Sequence, residues 1–455
     1  MSSGGLRSYD RASRDARRRA AAIDRSTLPP GPRAPSAVQT VRLMRQRHTW
    51  VPALHRRYGG LFTLQIAPGP RPMVLVHSPE DIKHVFAGDP KDFHAGAGNA
   101  ILGPVMGEHS VLLTDEDQHL RARKLLMPAF NGASLRRYGA LVHSLAHREV
   151  QTWRSGSTIS ALDRMNGLTL EIILQVVFGV TDEQRLARLR PRVTAVVDIG
   201  TSILLGWMFP RLLRWGPWRS YGDNLAALDR LLYAEIAERR TLPDLAARDD
   251  VLSRLLLVGD ADGEQPLTDA ELRDQLVTLL LAGHETTASA LAWALHELGR
   301  EPRQLACAQQ ACDDGDDGYL EAVLKESMRL HPVIPMVARV LRSPQRIGGF
   351  DLPAGVTVAP SIILAQLNED SFPEHRAFRP GRFVGAQPAP NTWIPFGGGV
   401  RRCLGAGFSL MEGVAVLREV LARYDVRSAD PERPRVRNVT SVPSSGAPLT
   451  VTPRR

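Results

Sequence analysis

Ten residues near the C-terminus, Phe396-Gly-Gly-Gly-Val-Arg-Arg-Cys403-Leu-Gly405, constrain this chain more than any other stretch of it. They set one cysteine between glycine turns and the predicted start of a helix, with Arg401 two residues before it. The free backbone N–H groups at a helix start stabilise negative charge and are expected to lower the pKa of the thiol. The sequence therefore predicts a soft, anionic sulfur beside a fixed positive charge, a ligand suited to a metal of intermediate softness.

The composition is that of an ordinary globular chain, with 43% hydrophobic and 23% charged residues. A length of 455 residues would allow about three domains. Because no Gly/Ser-rich or Pro-rich linker divides the interior, we expect one large domain over residues 28–455. Residues 1–27 are rich in arginine and have no apolar core, which predicts a basic, disordered tail.

Cysteine count, hydropathy and charge exclude several classes of protein. Three cysteines are too few for a disulfide framework and indicate a reducing compartment; Cys307 and Cys312 are predicted to be buried helix thiols. No run of about 18 apolar residues occurs, so we predict no transmembrane segment and a cytoplasmic location. The net charge of +9 comes from basic residues that are dispersed rather than interleaved with aromatics, which argues against nucleic-acid binding.

Apolar residues recur at helical spacing through most of residues 79–300. The longest such pattern, residues 267–299, begins at Thr268 as N-cap with Glu271 three residues on, and its middle is apolar enough to require burial. Short extended segments at residues 61–66 and 73–76 predict a small sheet, and residues 436–451 predict a hairpin. The expected fold is mainly α with a small β region. Further helices are predicted at residues 133–153, 162–180, 225–240 and 319–330, and just after Cys403.

The sequence Ala282-Gly-His-Glu285-Thr286-Thr287 interrupts the apolar run of the longest predicted helix. Gly283 costs about 1 kcal/mol relative to alanine in a helix interior. The hydroxyl of Thr286 can bond the carbonyl four residues back and loosen the helix locally. Two interpretations follow: a notch of small residues for close helix packing with Glu285 in solvent, or a functional site that tolerates local strain.

The order Phe396, Gly399, Arg401, Cys403 and Gly405 resembles the haem-binding loop of the cytochrome P450 family at each position of that signature. The resemblance extends over residues 28–455 and implies the helix-rich cytochrome P450 fold with one haem b. It implies that Cys403 is the axial ligand of the haem iron. It also implies that Arg401 pairs with a haem propionate.

Three more propionate partners are implied by the resemblance. His119 and Arg123 lie four residues apart on one face of a predicted helix, while Arg121 and Lys124 project from the other face. Arg339, in a predicted strand, would be the remaining partner. By themselves, His119 and Arg123 would be more typical of a basic surface helix, and an arginine in a strand, such as Arg339, is often simply exposed.

The resemblance also assigns roles to the interrupted helix. Glu285 and Thr286 resemble the acid and alcohol pair of the family, which is implied to deliver protons to oxygen at the iron. The implied substrate pocket is lined by side chains that are mostly apolar or small, so a hydrophobic substrate is expected. The pocket residues are Thr278, Ala282, Val333, Ile334, Val337 and Ser441.

The resemblance also implies a cluster of charged residues with a structural role. Glu326 and Arg329 are about one helical turn apart and can pair. With Arg382, in the segment Phe-Arg-Pro-Gly-Arg382-Phe, they resemble the buried Glu-Arg-Arg cluster of the family. The implied role of this cluster is to hold the loop that carries Cys403.

Taken together, the resemblance implies a monooxygenase that inserts one oxygen atom from O2 into a hydrophobic molecule. The chain has no flavin or nicotinamide domain, so electrons are expected from a ferredoxin and its reductase, attracted to the basic outer face near Arg402. One alternative is a haem-thiolate isomerase, dehydratase or peroxide-driven enzyme, against which Glu285 and Thr286 argue. The other alternative is a haem-binding sensor that catalyses no reaction.

Overall fold

The computed structural model describes residues 23–67, 71–179, 182–197, 206, 212, 215–258, 265–437 and 439–454. Most of the predicted tail, up to residue 22, lies outside these ranges. Its last residues are folded: Arg25–Thr27 form a short 3-10 helix capped by Asp24, and Ile23 packs against a buried apolar cluster. Residues 23–27 therefore have defined structure, although they precede the predicted boundary at residue 28.

Helices dominate the described chain, as the sequence predicts. In chain order they are α1 (Ser36–Tyr58), α2 (Pro79–Ala87), α3 (Ala95–Gly98), α4 (Gly103–Met106), α5 (Glu116–Leu126), α6 (Gly132–Gln151), α7 (Ala161–Phe178), α8 (Glu183–Val197), α9 (Gly216–Arg240), α10 (Val251–Leu257), α11 (Asp269–Arg300), α12 (Pro302–Asp314), α13 (Asp317–Leu330), α14 (Ile362–Gln366) and α15 (Ala406–Leu421). Within the described ranges, none of these helices combines enough length and apolar character to cross a membrane.

The predicted helix boundaries lie close to the observed ones where capping signals are strong. Helix α11 is 32 residues long and begins with the predicted capping box between Thr268 and Glu271. Helix α9 begins nine residues before its predicted start, because Pro217 suits the first turn of a helix and extends it toward the N-terminus. The prediction of buried thiols on α12 is wrong, since Cys307 is exposed and Cys312 is half-buried.

Within the ranges that the structure describes, the strands form four small sheets. The largest has the strand order β1-β2-β8-β5-β3, in which β2 and β8 run parallel and the other neighbours antiparallel. The predicted C-terminal hairpin is β10–β11, while β12 pairs instead with β4 and β9. The strands are β1 (Phe62–Ile66), β2 (Arg71–Val76), β3 (Phe93–His94), β4 (Thr158–Ser160), β5 (Arg339–Leu341), β6 (Gln345–Ile347), β7 (Phe350–Leu352), β8 (Thr357–Pro360), β9 (Tyr424–Arg427), β10 (Pro434–Arg437), β11 (Thr440–Pro443) and β12 (Pro448–Pro453).

Helix α11 runs through the centre of the main core and packs along α7. Most of its side chains are buried, including the large indole of Trp293. A side chain at Gly283 would place its Cβ 2.8 Å from the Cδ1 atom of Ile173 on α7. The close packing of two helices therefore explains this glycine, as the first of the two interpretations predicts.

The structure brings Glu326, Arg329 and Arg382 together. Glu326 and Arg329 are fully buried on α13, and the guanidinium donates two hydrogen bonds of 2.7 and 2.9 Å to the carboxylate. Arg382 Nε lies 3.3 Å from the same carboxylate. The other guanidinium N–H groups of Arg329 donate to the carbonyls of Gln366, His375 and Ala377. Each charge thus has partners that offset the loss of water.

This cluster is tied to the loop that leads to Cys403. The Gln366 amide donates to the carbonyl of Met328 at 2.9 Å and accepts from the backbone N–H of Ile394 at 3.0 Å. The indole of Trp393 donates to the carbonyl of Lys325 at 3.1 Å. Since residues 393 and 394 directly precede the cysteine loop, we infer that α13 sets the position of that loop.

Replacing Glu326 by Gln removes the charge that Arg329 needs and leaves a buried cation unpaired. We expect the free energy of unfolding to fall by about 3 to 5 kcal/mol, measured by equilibrium unfolding in urea. The matched control is Asp351→Asn, which breaks an ion pair with Arg346 that is largely exposed and should leave stability unchanged. Equal stability of the two variants would contradict the proposed role of the cluster.

Candidate active site

Cys403 lies between a 3-10 turn, Gly399–Arg401, and the first residue of α15, as predicted. Its backbone N–H donates to the carbonyl of Phe396 at 2.9 Å, which closes the loop. The thiol accepts a hydrogen bond from the backbone N–H of Gly405. The cysteine is accessible to solvent and yet strongly desolvated by surrounding protein, which places it in a recess.

The pKa of the Cys403 thiol is raised rather than lowered. Burial is the largest cause, and it outweighs the Gly405 N–H and the charges of Arg123 and Arg402, all of which lower the pKa. The predicted lowering by the helix start is therefore wrong for the protein alone. A coordinated metal ion deprotonates a thiol outright, so such an ion would supply the missing stabilisation.

The glycines of the cysteine loop leave room for two different parts of the structure. Gly399 has a φ of +64°, and an added Cβ would lie 2.0 Å from the carbonyl oxygen of Phe86 at the end of α2. An added Cβ at Gly398 would lie 2.2 Å from the ring of the same Phe86. These two glycines thus accommodate α2. At Gly405, by contrast, the nearest described atom to an added Cβ is the sulfur of Cys403, at 4.0 Å, so this glycine keeps the space beside the sulfur clear.

Four of the sequence-predicted cofactor residues converge near this recess. His119 on α5 is 2% exposed, and its Nδ1 finds no hydrogen-bond partner among the described residues. Arg339 on β5 is 6% exposed and donates to the carbonyl of Ala338. Arg401 donates to the backbone carbonyls of residues 111 and 114. Arg123 donates to the carbonyl of Arg402, next to the cysteine, at 2.8 Å.

The electrostatics of these residues favour the binding of an anion. Burial, followed by the charges of Arg401, Arg123 and Arg339, lowers the pKa of His119 to about 3. Burial also lowers the pKa of Arg339 and of Arg401 to about 10. Cations gathered in a desolvated site are costly unless they are paired. Carboxylates entering this cluster would relieve that cost, so the residues fit the propionate edge of a haem.

Side chains in the middle of α11 are also accessible to solvent. Ala282 is exposed although it lies mid-helix between buried stretches, and Thr286 on the same face is partly exposed. The hydroxyl of Thr286 donates to the carbonyl of Ala282 at 2.7 Å, as predicted. Thr287 bonds Ser409 of α15 at 3.1 Å, which brings this part of α11 against the helix that follows Cys403. We infer that the two helices border one cleft.

Glu285 is buried rather than solvated, which corrects the first interpretation of this motif. Its carboxylate accepts a hydrogen bond of 2.9 Å from the hydroxyl of Thr440 on β11. Arg437 on β10 places its Nε 3.5 Å from the same oxygen. Both partners come from the C-terminal hairpin, more than 150 residues away in sequence. No local spacing pattern could have identified them.

The hairpin is held in turn by α1. Arg47 donates to the carbonyl of Thr440 and, at 3.0 Å, to the hydroxyl of Ser441, which is also 2.6 Å from Nε2 of His48. Burial lowers the pKa of Arg47 to about 10. Burial and the nearby charges of Arg47 and His331 lower the pKa of His48 to about 3.

The predicted pocket residues separate into two groups. Thr278 and Ser441 are buried, and their hydroxyls are engaged by protein; the Thr278 hydroxyl donates to the carbonyl of Asp274 at 2.6 Å and lies 2.7 Å from the hydroxyl of Ser110. Neither hydroxyl offers a contact to a ligand in this arrangement. The apolar members retain accessible surface or pack beside the cysteine loop. They are Ala282, Ile334 and Val337, which are not buried, and Val333, which packs in one cluster with Phe396.

The outer face of α5 differs from the prediction at one position. Arg121 does not simply face solvent, because it pairs with Glu271 in the first turn of α11 at 2.7 Å and donates to the carbonyl of Gln265, which precedes that helix. Exposed apolar side chains lie close to the basic residues of this region. They are Leu120, Met127 and Val400.

Comparisons with known proteins give matches that extend over most of the chain. A family model described as cytochrome P450 matches residues 28–449. A Mycobacterium tuberculosis protein that carries the name cytochrome P450 135A1 is 52% identical over 431 residues, covering 94% of this chain and 96% of the relative. Another from the same organism, cytochrome P450 135B1, is 43% identical and covers 93% and 91%. The solved structure of cyanobacterial CYP120A1 with bound retinoic acid superposes with a TM-score of 0.82 at 21% identity, over 94% of this chain and 99% of that one.

The low pKa of His48 predicts acid sensitivity of a definite sign. As the pH falls below about 6.5, the unfolded chain binds a proton that the folded protein refuses until about pH 3, so stability is lost on acidification. In His48→Asn, we expect the loss of unfolding free energy between about pH 6.5 and 4.5 to be smaller by roughly 1 to 2 kcal/mol. Urea unfolding at both pH values measures it.

The control is His143→Asn, which removes an imidazole from an exposed position on α6. A His48→Asn protein that lost stability with acid as steeply as the wild type would refute the assignment.

Proposed function

The chain belongs to the cytochrome P450 family, and from that premise we propose that it is a haem-thiolate monooxygenase acting on a hydrophobic small molecule. The observation that carries this proposal is the recess that holds Cys403. A single cysteine sulfur lies there near the buried side chains of His119 and Arg339 and the partly buried side chains of Arg123 and Arg401, and an opened stretch of α11 borders the same cleft. Few ligands besides an iron porphyrin combine a thiolate-seeking metal with two carboxylates.

The proposed cofactor is haem b, whose iron the sulfur of Cys403 would bind. His119, Arg123, Arg339 and Arg401 would hold its propionates, and Gly405 would leave room beside the sulfur. When bound, a thiolate-ligated haem iron supplies the reduction of O2 and the cleavage of its O–O bond. The remaining work falls to residues of the chain, which must orient the substrate, limit water and move protons.

We assign proton transfer to Glu285 and Thr286. Because the hydroxyl of Thr286 donates to its own helix, its oxygen lone pairs remain available to accept a hydrogen bond in the cleft. Glu285 is buried, and Arg437, whose Nε lies 3.5 Å from this carboxylate, is partly exposed. The carboxylate can therefore take up a proton from the solvent side and pass it toward Thr286.

The proposed substrate is largely apolar. The accessible side chains of the predicted pocket are those of Ala282, Ile334 and Val337, which offer surface for burial and no charge. Apolar linings with few polar groups are typical of sites that bind hydrophobic ligands. Orientation would then depend on shape more than on hydrogen bonds.

The proposed electron donor is a ferredoxin with its reductase. Arg402 is exposed next to Cys403, and the apolar side chains of Leu120, Met127 and Val400 are exposed in the same region. An acidic protein would be attracted to the positive charge, which raises the rate of encounter. The apolar side chains would be covered in the complex.

Oxygen transfer can be tested directly with the purified holoprotein, a surrogate ferredoxin and its reductase. A hydrophobic compound library is first screened by the shift of the iron spin state, and compounds that shift it are incubated under ¹⁸O2. Incorporation of one labelled atom into product supports the monooxygenase. Turnover with peroxide but not with ferredoxin would favour a peroxide-driven enzyme, and spectral binding without any product would favour a sensor.

Replacing Cys403 by Ser or by His should abolish the red-shifted Soret band of the reduced carbon monoxide complex, because that band requires thiolate ligation. The absorption spectrum of the reduced protein with and without carbon monoxide measures it. Cys312→Ser on α12 serves as the control and should keep the band. Retention of the band in the Cys403 variants would mean that another ligand holds the iron.

Replacing Thr286 by Ala should leave haem binding intact while diverting electrons from product to hydrogen peroxide and water, because the proton-positioning hydroxyl is lost. We expect product per NADH to fall several-fold, measured as product, peroxide and NADH consumed in the same reaction. Thr287→Ala is the matched control, since that hydroxyl is bonded to Ser409. Unchanged coupling in Thr286→Ala would refute the assigned role.

A further inference from the structure

Asp115 occupies a central position at the edge of the propionate cluster, which no sequence motif indicates. It is the N-cap residue of α5, but its carboxylate makes no capping hydrogen bond to that helix. One oxygen accepts from Arg401 at 2.6 Å and from the backbone N–H of Gly96 at 2.8 Å. The other accepts from the N–H of Ala97 at 3.0 Å and lies 3.4 Å from Nδ1 of His94.

The backbone around Asp115 is tightly constrained. Glu116 has a φ of +49°, in the left-handed region that non-glycine residues usually avoid. An added Cβ at Gly96 would lie 2.2 Å from the carbonyl oxygen of Leu113 and 2.9 Å from the Asp115 carboxylate. The cost of such geometry is offset by the four contacts that this carboxylate makes. Three segments, residues 94–97, the start of α5 and the cysteine loop, therefore meet at one side chain.

Counting charges assigns this carboxylate a second role. Three guanidiniums, those of Arg123, Arg339 and Arg401, act on His119, which itself remains neutral. A haem contributes two propionates, which leaves one positive charge in excess. Asp115 is the acid whose charge acts on both Arg339 and Arg401 in the described part of the chain. With Asp115 included, the cluster and the two propionates sum to zero.

We propose that Asp115 is a positioning residue of the haem pocket, which orients Arg401 toward the propionates and balances the third guanidinium. The inference rests on the proposed haem site. The carboxylate fixes Arg401 through a short, charge-assisted hydrogen bond while the backbone N–H groups of α3 fix the carboxylate itself. Because the negative charge lies beside the propionate end of the cofactor, it also opposes the addition of an electron to the iron.

The test compares Asp115→Asn with Asp117→Asn in the holoprotein. Asp117 is exposed in the first turn of the same helix and provides a matched loss of one negative charge. In Asp115→Asn we expect the midpoint potential of the iron to shift to more positive values. We also expect transfer of haem to apomyoglobin to be about tenfold faster, the usual consequence of losing one charge-assisted hydrogen bond. Asp117→Asn should match the wild type in both measurements.

A third variant separates charge from position. Asp115→Glu keeps the charge but moves it by one methylene, so we expect a potential near that of the wild type together with faster haem loss. If Asp115→Asn does not accumulate as folded protein, this variant carries the test, and wild-type haem retention in it would overturn the positioning role. An unchanged potential in folded Asp115→Asn would overturn the charge-balancing role.

These outcomes are distinct from failure of the proposed function. Each variant is first checked for the red-shifted Soret band of the reduced carbon monoxide complex, which reports the Cys403 thiolate. If the wild type itself lacks that band, the haem-thiolate function fails. If the band is present and the potential and haem transfer of Asp115→Asn equal those of Asp117→Asn, the inference about Asp115 alone is wrong.

Discussion

The buried carboxylate of Glu326 is the contact on which the position of the active-site loop depends. It accepts from Arg329, Arg382 and the backbone N–H of Arg379, so one charge joins α13 to the segment that follows residue 374. A buried ion pair adds little net stability, but a pair that loses one partner is strongly destabilised. The cluster is therefore better understood as a device that fixes one arrangement of the loop. Gln366 and Trp393 extend this arrangement to the residues just before Phe396.

Burial makes the ionisable groups near Cys403 sensitive to the charge of any ligand that binds beside them. His119, Arg339 and Arg401 have lowered pKa values because they are desolvated next to one another. The thiol of Cys403 is likewise unfavourable as an anion in the protein alone. A cofactor that brings a metal cation to the sulfur and carboxylates to the arginines would relieve both costs at once. Folding of this region and cofactor binding are therefore expected to be coupled.

The C-terminal hairpin links three parts of the molecule that are far apart in sequence. Thr440 bonds Glu285 on α11, Ser441 bonds Arg47 and His48 on α1, and the backbone N–H of Ser441 bonds the carbonyl of Val333 at 2.8 Å. The acid of the proposed proton path and one edge of the proposed substrate pocket thus share a support. A substrate that displaced this hairpin would also change the hydrogen bonding of Glu285, which offers a physical route from substrate shape to proton transfer.

The sequence by itself determined the helical fold, the capping of α11, the placement of Cys403 before α15 and the bond between Thr286 and Ala282. These depend on residue type and short spacing, which local backbone geometry translates directly into structure. Tertiary structure alone decided that Gly399 accommodates Phe86, that burial raises the pKa of the Cys403 thiol, and that Glu285 is held by Thr440. It also decided that Asp115 pairs with Arg401. Desolvation and long-range pairing depend on which distant segments pack together, and a linear pattern carries no measure of that distance.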